Sequence, residues 1–340
     1  MNNDSVYIIA ELSANHGHKL ENALASVRAA KEAGADAIKI QTYMADTITL
    51  DCDDDYFQIK HGTLWDGTTL YKLYQEAYTP WEWHVAIRDE AVRCGIDFFS
   101  TPFDRTAVDF LEDLGVGIYK IASFEITDIP LIEYAASKGK PMIISTGIAT
   151  LADIEEAVNT CRRMGNNDIT LLKCTSQYPA KPEDANLRTI PNLAQTFGVN
   201  VGLSDHTMGH AVAIAAVALG AQMIEKHFIL DRAIGGPDAS FSMTPDEFKQ
   251  MVEGVRITEK ALGRVNYDLT DKVKTSRQFS RSLFVAEDMK AGDLFTEINL
   301  RSVRPGFGLH TRHQKELVGK KSSRDITKGT PMAWNLVEMP

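Results

Sequence analysis

"NVGLSDHTMGHAVAIAAVALGAQMIEKHF", Asn200 to Phe228, decides the fold. Its first part, "NVGLSDH", is a short apolar run that turns polar at Ser204, Asp205 and His206. "AVAIAAVALG", from Ala211, is helix-like and closes on a glycine. "QMIEKHF", from Gln222, is a second strand-like run that turns polar at Glu225, Lys226 and His227. Strand, helix and strand in so short a span fit parallel strands buried on both faces. The chain has nine histidines. Two of them stand at matching strand ends, which points to something held between them.

The same grammar runs back through the chain. Strand-like runs start at Val6 ("VYIIAEL"), Ala37 ("AIKIQTY"), Ile96 ("IDFFSTP"), Ile118 ("IYKIAS"), Pro141 ("PMIISTG") and Ile169 ("ITLLKCTS"). Amphipathic segments lie between them, among them "LENALASVRAAKEAG" from Leu20 and "LADIEEAVNTCRRMG" from Leu151. The last is "TPDEFKQMVEGVRITEKALG", with Thr244 and Glu247 as a capping box. Eight strands, each followed by a helix, predict an α/β chain folded as a (β/α)8, or TIM, barrel over residues 1–265. A doubly wound open sheet is the alternative. After Gly263 the grammar stops. Residues 266–280 read as a polar linker, and 281–340 as a small β-rich domain with closely spaced turns. In that domain "AEDMKAGDLFTEINL" (from Ala286) is echoed by "SRDITKGTPMAWNLV" (from Ser323).

Composition narrows the function. The 340 residues carry a formal charge of −10, the wrong sign for nucleic acid. No apolar run is long enough for a membrane helix, and "MNNDSVYIIAELSANHGH" has no features of a secretory leader. The four cysteines, Cys52, Cys94, Cys161 and Cys174, are widely spaced. They read as reduced thiols of a cytoplasmic protein. An acidic protein can still hold a small anion in a local nest of cations, hydroxyls and amides.

In a (β/α)8 barrel the chemistry lies at the C-terminal strand ends. Lys39, Thr101, Lys120, Ser123, Ser176 and Ser204 gather there as cations and small hydroxyls, suited to phosphate and carboxylate. A lysine inside "AIKIQ" or "IYKIAS" is costly to bury unpaired, which favours an anionic partner over an ordinary salt bridge. His206 and His227, from neighbouring strands, are spaced to share a divalent metal, against the bland alternative of structural hydrogen bonding. Glu11 is a candidate third ligand, base or substrate contact. Ser145, Thr146 and Lys173 also read as layer or cap residues. The aromatic segment from Thr63 to Trp83 reads as a packed lid or loop.

The runs "IIAELSANH", "GADAIKIQTY", "FFSTPFD", "YKIASFEI", "MIISTGIAT", "LLKCTSQYP", "VGLSDHT" and "IEKHF" together resemble the sialic acid synthase family over nearly the whole chain. The resemblance implies a barrel followed by an antifreeze-like (SAF) domain. It implies condensation of phosphoenolpyruvate with an N-acetylated amino sugar to a nonulosonic acid. "AELSANH", the aromatic segment and "RPGFGLH" are most similar to the branch whose acceptor is 2,4-diacetamido-2,4,6-trideoxy-altrose. The branches making N-acetylneuraminate and legionaminate share the core motifs. A Schiff-base aldolase working through Lys120 or Lys173, and a sugar- or ice-binding protein, are the other classes. Carried over, the resemblance implies Mn2+, Mg2+ or Co2+ on His206 and His227. It implies phosphoenolpyruvate on Lys39, Thr101, Lys120, Ser123, Ser204 and Tyr178, with Glu11, Gln41, Glu125 and Asp238 near the sugar. It further implies a homodimer with exchanged SAF domains, in which Arg304 reaches the partner's barrel to touch an acyl group. Two positions depart from the neuraminate pattern. Ser176 stands where an asparagine is usual, and no sugar-binding asparagine has a counterpart around Leu64 to Asp66.

Overall fold

In the computed structural model the eight strand-like runs close into one parallel barrel. Its strands are β1 (Tyr7–Glu11), β2 (Ala37–Thr42), β3 (Asp97–Pro102), β4 (Tyr119–Ile121), β5 (Met142–Ser145), β6 (Ile169–Cys174), β7 (Asn200–Asp205) and β8 (Met223–His227). The structure describes residues 5–60, 62 and 65–338. The first four residues of the N-terminal stretch, Thr63 and Leu64 of the aromatic segment, and the last two residues lie outside them.

The register explains which side chains meet. In a strand successive side chains point to opposite faces. Ile9, Ala37, Phe99, Ile118, Ile143, Leu172 and Met223 all point inward and form one dry layer across the barrel. Gly202 occupies the β7 place in that layer. A Cβ there would sit 2.7 Å from Leu172 Cδ2 and 2.8 Å from Met223 Cβ, so only glycine lets β7 and β8 approach. The outward residues, such as Ile8, Ile38, Tyr119, Ile144 and Ile224, pack against the helices in the main core. Two residues above the dry layer, the same inward parity brings up Glu11, Lys39, Thr101, Lys120, Ser145, Cys174, Ser204 and Glu225. Glu11 pairs in register with both Lys39 and His227, and Ser204 with Glu225.

Around the barrel run α1 (Leu20–Glu32), α2 (Ala45–Ile48), α3 (Leu70–Ala77), α4 (His84–Cys94), α5 (Arg105–Leu114), α6 (Ile129–Ala136), α7 (Leu151–Arg163), α8 (Thr189–Phe197), α9 (Ala211–Ala218) and α10 (Pro245–Leu262). The expected cap of α10 is present: Thr244 N donates to Glu247 Oε2 at 2.9 Å. The aromatic segment differs from the expected loop. It contains α3, whose N-cap Thr69 accepts from Lys72 N. The N-terminal end of the barrel is also polar. Tyr7 Oη donates to Asp97 Oδ2 at 2.6 Å. A cavity of about 460 Å3 opens there, bordered by Ser5, Thr170, Asn200 and Gln222.

The chain divides into two compact units, Met1–Gly263 and Arg264–Pro340. The segment expected as a linker carries a short helix, α11 (Asp271–Ser276), because Thr270 accepts from Val273 N and caps it. The second unit pairs β9 (Ser282–Val285) with β10 (Leu300–Val303) antiparallel, over a core that includes Leu283, Phe295, Leu317 and Met332. The sequence echo has a physical counterpart there. Met289 and Ile326 exchange backbone hydrogen bonds at 2.8 and 2.9 Å. Asp288 accepts from Lys328 N in the second copy's turn, and Asp325 from Ala291 N in the first. Each half supplies the acid that holds the other's turn.

Candidate active site

The inward layer at the C-terminal end of the barrel is charged and almost dry. Lys39 and Lys120 are 3% and 1% exposed, Glu11 and Glu225 1% and 6%. Charges buried this deeply persist only when compensated. Lys39 Nζ lies 2.6 Å from Glu11 Oε2 and 3.7 Å from Glu225 Oε2, and donates to Thr101 Oγ1 at 3.3 Å. Lys120 Nζ lies 3.9 Å from Glu225 Oε1 and donates to Ser145 Oγ at 2.6 Å and Ile121 O at 3.1 Å. Ser204 Oγ donates to Glu225 Oε1 at 3.0 Å. Two ammoniums thus face two carboxylates. The compensation is incomplete: among the described residues Glu11 Oε1 and Glu225 Oε2 have no hydrogen bond, and Glu11 Oε2 meets only the Lys39 ammonium.

The electrostatics follow from that arrangement. Burial pushes the Glu11 carboxyl up to about 7, against the pull of Lys39 and with the help of the Glu225 charge. Glu225 is also buried, but Lys120 and Lys39 together hold it below the usual range. The carboxylates share their cations unequally, and Glu11 takes the proton first. Burial pushes Lys120 down. Lys39, although equally buried, is held up by Glu11 and Glu225.

Beside the lysines lies a small polar cradle. Ser123 begins a 3-10 turn, Ser123–Glu125, directly after β4. Its Oγ accepts from Gly147 N at 3.0 Å. A Cβ on Gly147 would collide with Ser176 Oγ and come within 2.7 Å of Ser123 Oγ. The backbone therefore runs against these hydroxyls with no room for a side chain, as anion cradles require. Glu125, at the end of the turn, has an unpartnered Oε2, and burial pushes it up to about 7.

The two histidines meet above this layer, with ring centres 5.3 Å apart. His206 Nδ1 lies 2.9 Å from Thr175 O, which keeps a proton on Nδ1 and leaves Nε2 as the ring nitrogen free of that carbonyl. His227 Nδ1 is buried without a hydrogen bond, 3.9 Å from Asp238 Oδ2. Burial, then the neighbouring His206, hold His227 well below its ordinary value, so the ring is neutral. Tyr178 covers His206 at 4.4 Å between ring centres, and Trp65 and Phe241 pack on Tyr178. Trp65 also donates to Pro237 O. The aromatic segment thus reaches this end of the barrel.

The remaining expected residues fall as follows. Gln41 ends the inward row of β2, beside Thr101 in register. Arg304 is exposed in the second unit, beyond β10. Lys173 has the opposite parity to Cys174. Its ammonium donates to Cys174 O and Thr175 Oγ1, outside the ring of inward charges, which removes it as a Schiff-base candidate. Glu11 is engaged with Lys39. Among the described residues no group of three His, Cys, Asp or Glu side chains is gathered for a metal.

Sequence reading left three parts of the site without a role. Glu225 is the counterion shared by both lysines, and its signal was the inward parity it shares with His227. Gly147, in "STGIAT", is fixed by the close approach to Ser123 and Ser176. Asp205 and Lys226 point outward next to the two histidines. Lys226 Nζ lies 2.6 Å from Asp205 Oδ2 and donates to Thr207 O and Gly209 O, pinning the loop after β7.

A parallel eight-stranded barrel with buried lysines, carboxylates and paired histidines at its C-terminal end defines an enzyme of the (β/α)8 class. The NeuB family model matches residues 26–267 and the SAF domain model residues 280–338. The chain belongs to the NeuB family. It is 51% identical to the pseudaminic acid synthase of Campylobacter jejuni, over 95% of this chain and 94% of that one. It is 47% identical to the pseudaminic acid synthase of Helicobacter pylori, over 97% of both chains. Among solved structures, the N-acetylneuraminic acid synthetase of Leptospira borgpetersenii, determined with citrate, superposes with a TM-score of 0.71 at 32% identity, covering 80% of this chain and 90% of that one.

Proposed function

We propose that this chain condenses phosphoenolpyruvate with 2,4-diacetamido-2,4,6-trideoxy-L-altrose and water, giving pseudaminic acid and phosphate. The observation that carries the reaction class is the buried layer of two lysines and two incompletely compensated carboxylates. The sugar rests on the identity of about half the residues with pseudaminic acid synthases, against 32% with the N-acetylneuraminic acid synthetase.

Lys39 and Lys120 grip the phosphate and carboxylate of phosphoenolpyruvate, with Thr101, Ser123, Ser176, Ser204 and Tyr178 around them. The electron pair of the enol double bond forms the new bond from C3 to the sugar aldehyde carbon. The aldehyde oxygen takes up a proton, and C2 becomes an oxocarbenium centre stabilised by the anions held beside it. Water adds at C2 and gives up its proton. The C–O bond then breaks, the hydroxyl left on C2 becomes the ketone carbonyl, and its proton goes to the departing phosphate. Glu11, which keeps a proton up to about pH 7, is the side chain suited to proton exchange with the sugar oxygen. Gln41, Glu125 and Asp238 face the acceptor.

His206 and His227 suit a divalent cation, Mn2+, Mg2+ or Co2+. Two imidazoles lie together, and among the described residues one buried ring nitrogen, His227 Nδ1, has no hydrogen bond. A cation held there would supply Lewis acidity toward the aldehyde. The assembly in this reading is a homodimer with exchanged SAF units, Arg304 reaching the acyl group bound in the other copy. Its supports are the family resemblance and the exposure of Arg304. A cytoplasmic site of action fits the four free thiols. Lys120, whose ammonium burial pushes down, favours one competing chemistry, a Schiff base. Borohydride trapping of a pyruvyl adduct would reveal it.

The test is phosphate release from phosphoenolpyruvate after EDTA treatment, with and without Mn2+, using either the diacetamido-trideoxy-altrose or N-acetylmannosamine. Release restored by Mn2+ with the altrose sugar alone is expected. Release only with N-acetylmannosamine would overturn the sugar, and release unaffected by EDTA would overturn the cation. No release with either sugar would overturn the reaction.

A further inference from the structure

The loop between β1 and α1 contains a residue whose backbone is unfavourable for its type. Ser13 has φ of +47°, in the left-handed region that side chains other than glycine, asparagine and aspartate rarely occupy. Such strain persists where surrounding contacts hold it, and it concentrates at functional positions. The contacts are specific here. Ser13 Oγ donates to Asp238 Oδ2 at 2.5 Å, and Ala14 N approaches the same oxygen at 3.4 Å. The next residue grips the same loop by its backbone. Asn15 Nδ2 donates to Phe228 O at 2.9 Å and Ser242 Oγ at 2.8 Å, and Ser242 Oγ donates to Asp238 O at 2.6 Å. Ser13 and Asp238 are 3% and 9% exposed.

Asp238 is thus held at its main chain through Ser242 and at one carboxylate oxygen by Ser13. Both donors use Oδ2, and among the described residues no hydrogen bond engages Oδ1. Asp238 also stands beside His227, in the half of the site assigned above to the sugar. We propose that Ser13 is a positioning residue for the acceptor. Its left-handed backbone aims a hydroxyl at Asp238 Oδ2, which leaves Oδ1 fixed to accept from a hydroxyl or amide N–H of the sugar. The strain at Ser13 is the cost of fixing that acceptor contact. The inference rests on the sugar-facing role of Asp238 in the proposed function.

Ser13→Gly is the informative change, because glycine relieves the backbone while deleting the hydroxyl. Steady-state kinetics of Ser13→Gly, Asp238→Asn and the double variant, with melting temperatures, separate the outcomes. The single Ser13→Gly variant is expected to raise the sugar KM about tenfold, the loss of one buried charge-assisted hydrogen bond. The KM for phosphoenolpyruvate stays unchanged, and the Tm is equal to or above that of the parent. Ser13→Ala gives the same kinetic change with a lower Tm. The double variant is no worse than Asp238→Asn alone. If Asp238→Asn raises the sugar KM while Ser13→Gly leaves it alone, the role of Ser13 falls and the sugar site stands. If Ser13→Gly moves both KM values equally, Ser13 is only structural. If Asp238→Asn leaves the sugar KM unchanged, the assignment of Asp238 fails and this inference fails with it.

Discussion

The two ends of the barrel are built from the same strands with the same inward parity, yet they are chemically opposite. At the N-terminal end Tyr7 and Asp97 satisfy each other, and a cavity of about 460 Å3 is bordered, besides that one carboxylate, by neutral polar and apolar residues. At the C-terminal end the charges are drier and worse satisfied. Among the described residues, most of the buried side-chain polar atoms without a hydrogen bond belong to Glu11, Asn15, Glu125, Glu225 and His227 around the candidate site. Buried polar groups are ordinarily paired, so such a cluster of exceptions marks where a ligand completes the pairing. The size of a cavity does not locate the chemistry here. Unmet electrostatic demand does.

That contrast can be broken in two places. The larger of these two effects belongs to Gly147→Ala, which puts a methyl group into the cradle at Ser123 and Ser176. It should raise the KM for phosphoenolpyruvate about fivefold or more with little change in the sugar KM, since overpacking costs about 1–3 kcal/mol. An unchanged KM for phosphoenolpyruvate would remove the cradle from the anion site. A smaller effect concerns pH. Glu125 has an ordinary value of 4.5, raised by burial to about 7 in the folded chain. The folded state then binds more protons than the unfolded one between those values. This group's contribution is full below about pH 4.5 and is lost as pH rises to about 7. The loss is on the order of 3 kcal/mol at the top of the window. Chemical denaturation of Glu125→Gln should therefore show a flatter decline of stability from pH 5 to 7 than the parent. Parallel curves would mean that Glu125 is not held protonated by burial.

The barrel was legible because the middle of each strand is apolar on both faces and the C-terminal ends turn polar together. The histidine pair was legible for the same reason, since strand ends in one barrel share one rim. Parity was not legible to the same degree. Lys173 and Cys174 are both plausible strand-end residues, and only the pairing of β6 with its neighbours shows which one faces inward. The strength of the lysine grip was also hidden, because Glu225 reads as one more polar residue until its two ammonium neighbours are in place. Contacts with no period were the least visible. Ser13 and Asp238 lie 225 positions apart, and nothing local in "ELSANH" announces a left-handed serine. The helices α3 and α11 were not anticipated because their local caps, Thr69 and Thr270, outweigh the aromatic and polar surroundings that suggested a packed lid or loop and a linker.

The central claim, that the charged end of the barrel and not the neutral end holds phosphoenolpyruvate, is tested most directly by calorimetric titration. Phosphoenolpyruvate would be titrated into the parent, Lys120→Met and Tyr7→Phe, with circular dichroism confirming the fold of each. Lys120→Met is expected to weaken binding by about a hundredfold or more, the scale of losing one buried charge contact, while Tyr7→Phe binds like the parent. Equal binding by the parent and Lys120→Met, or a loss confined to Tyr7→Phe, would contradict the account.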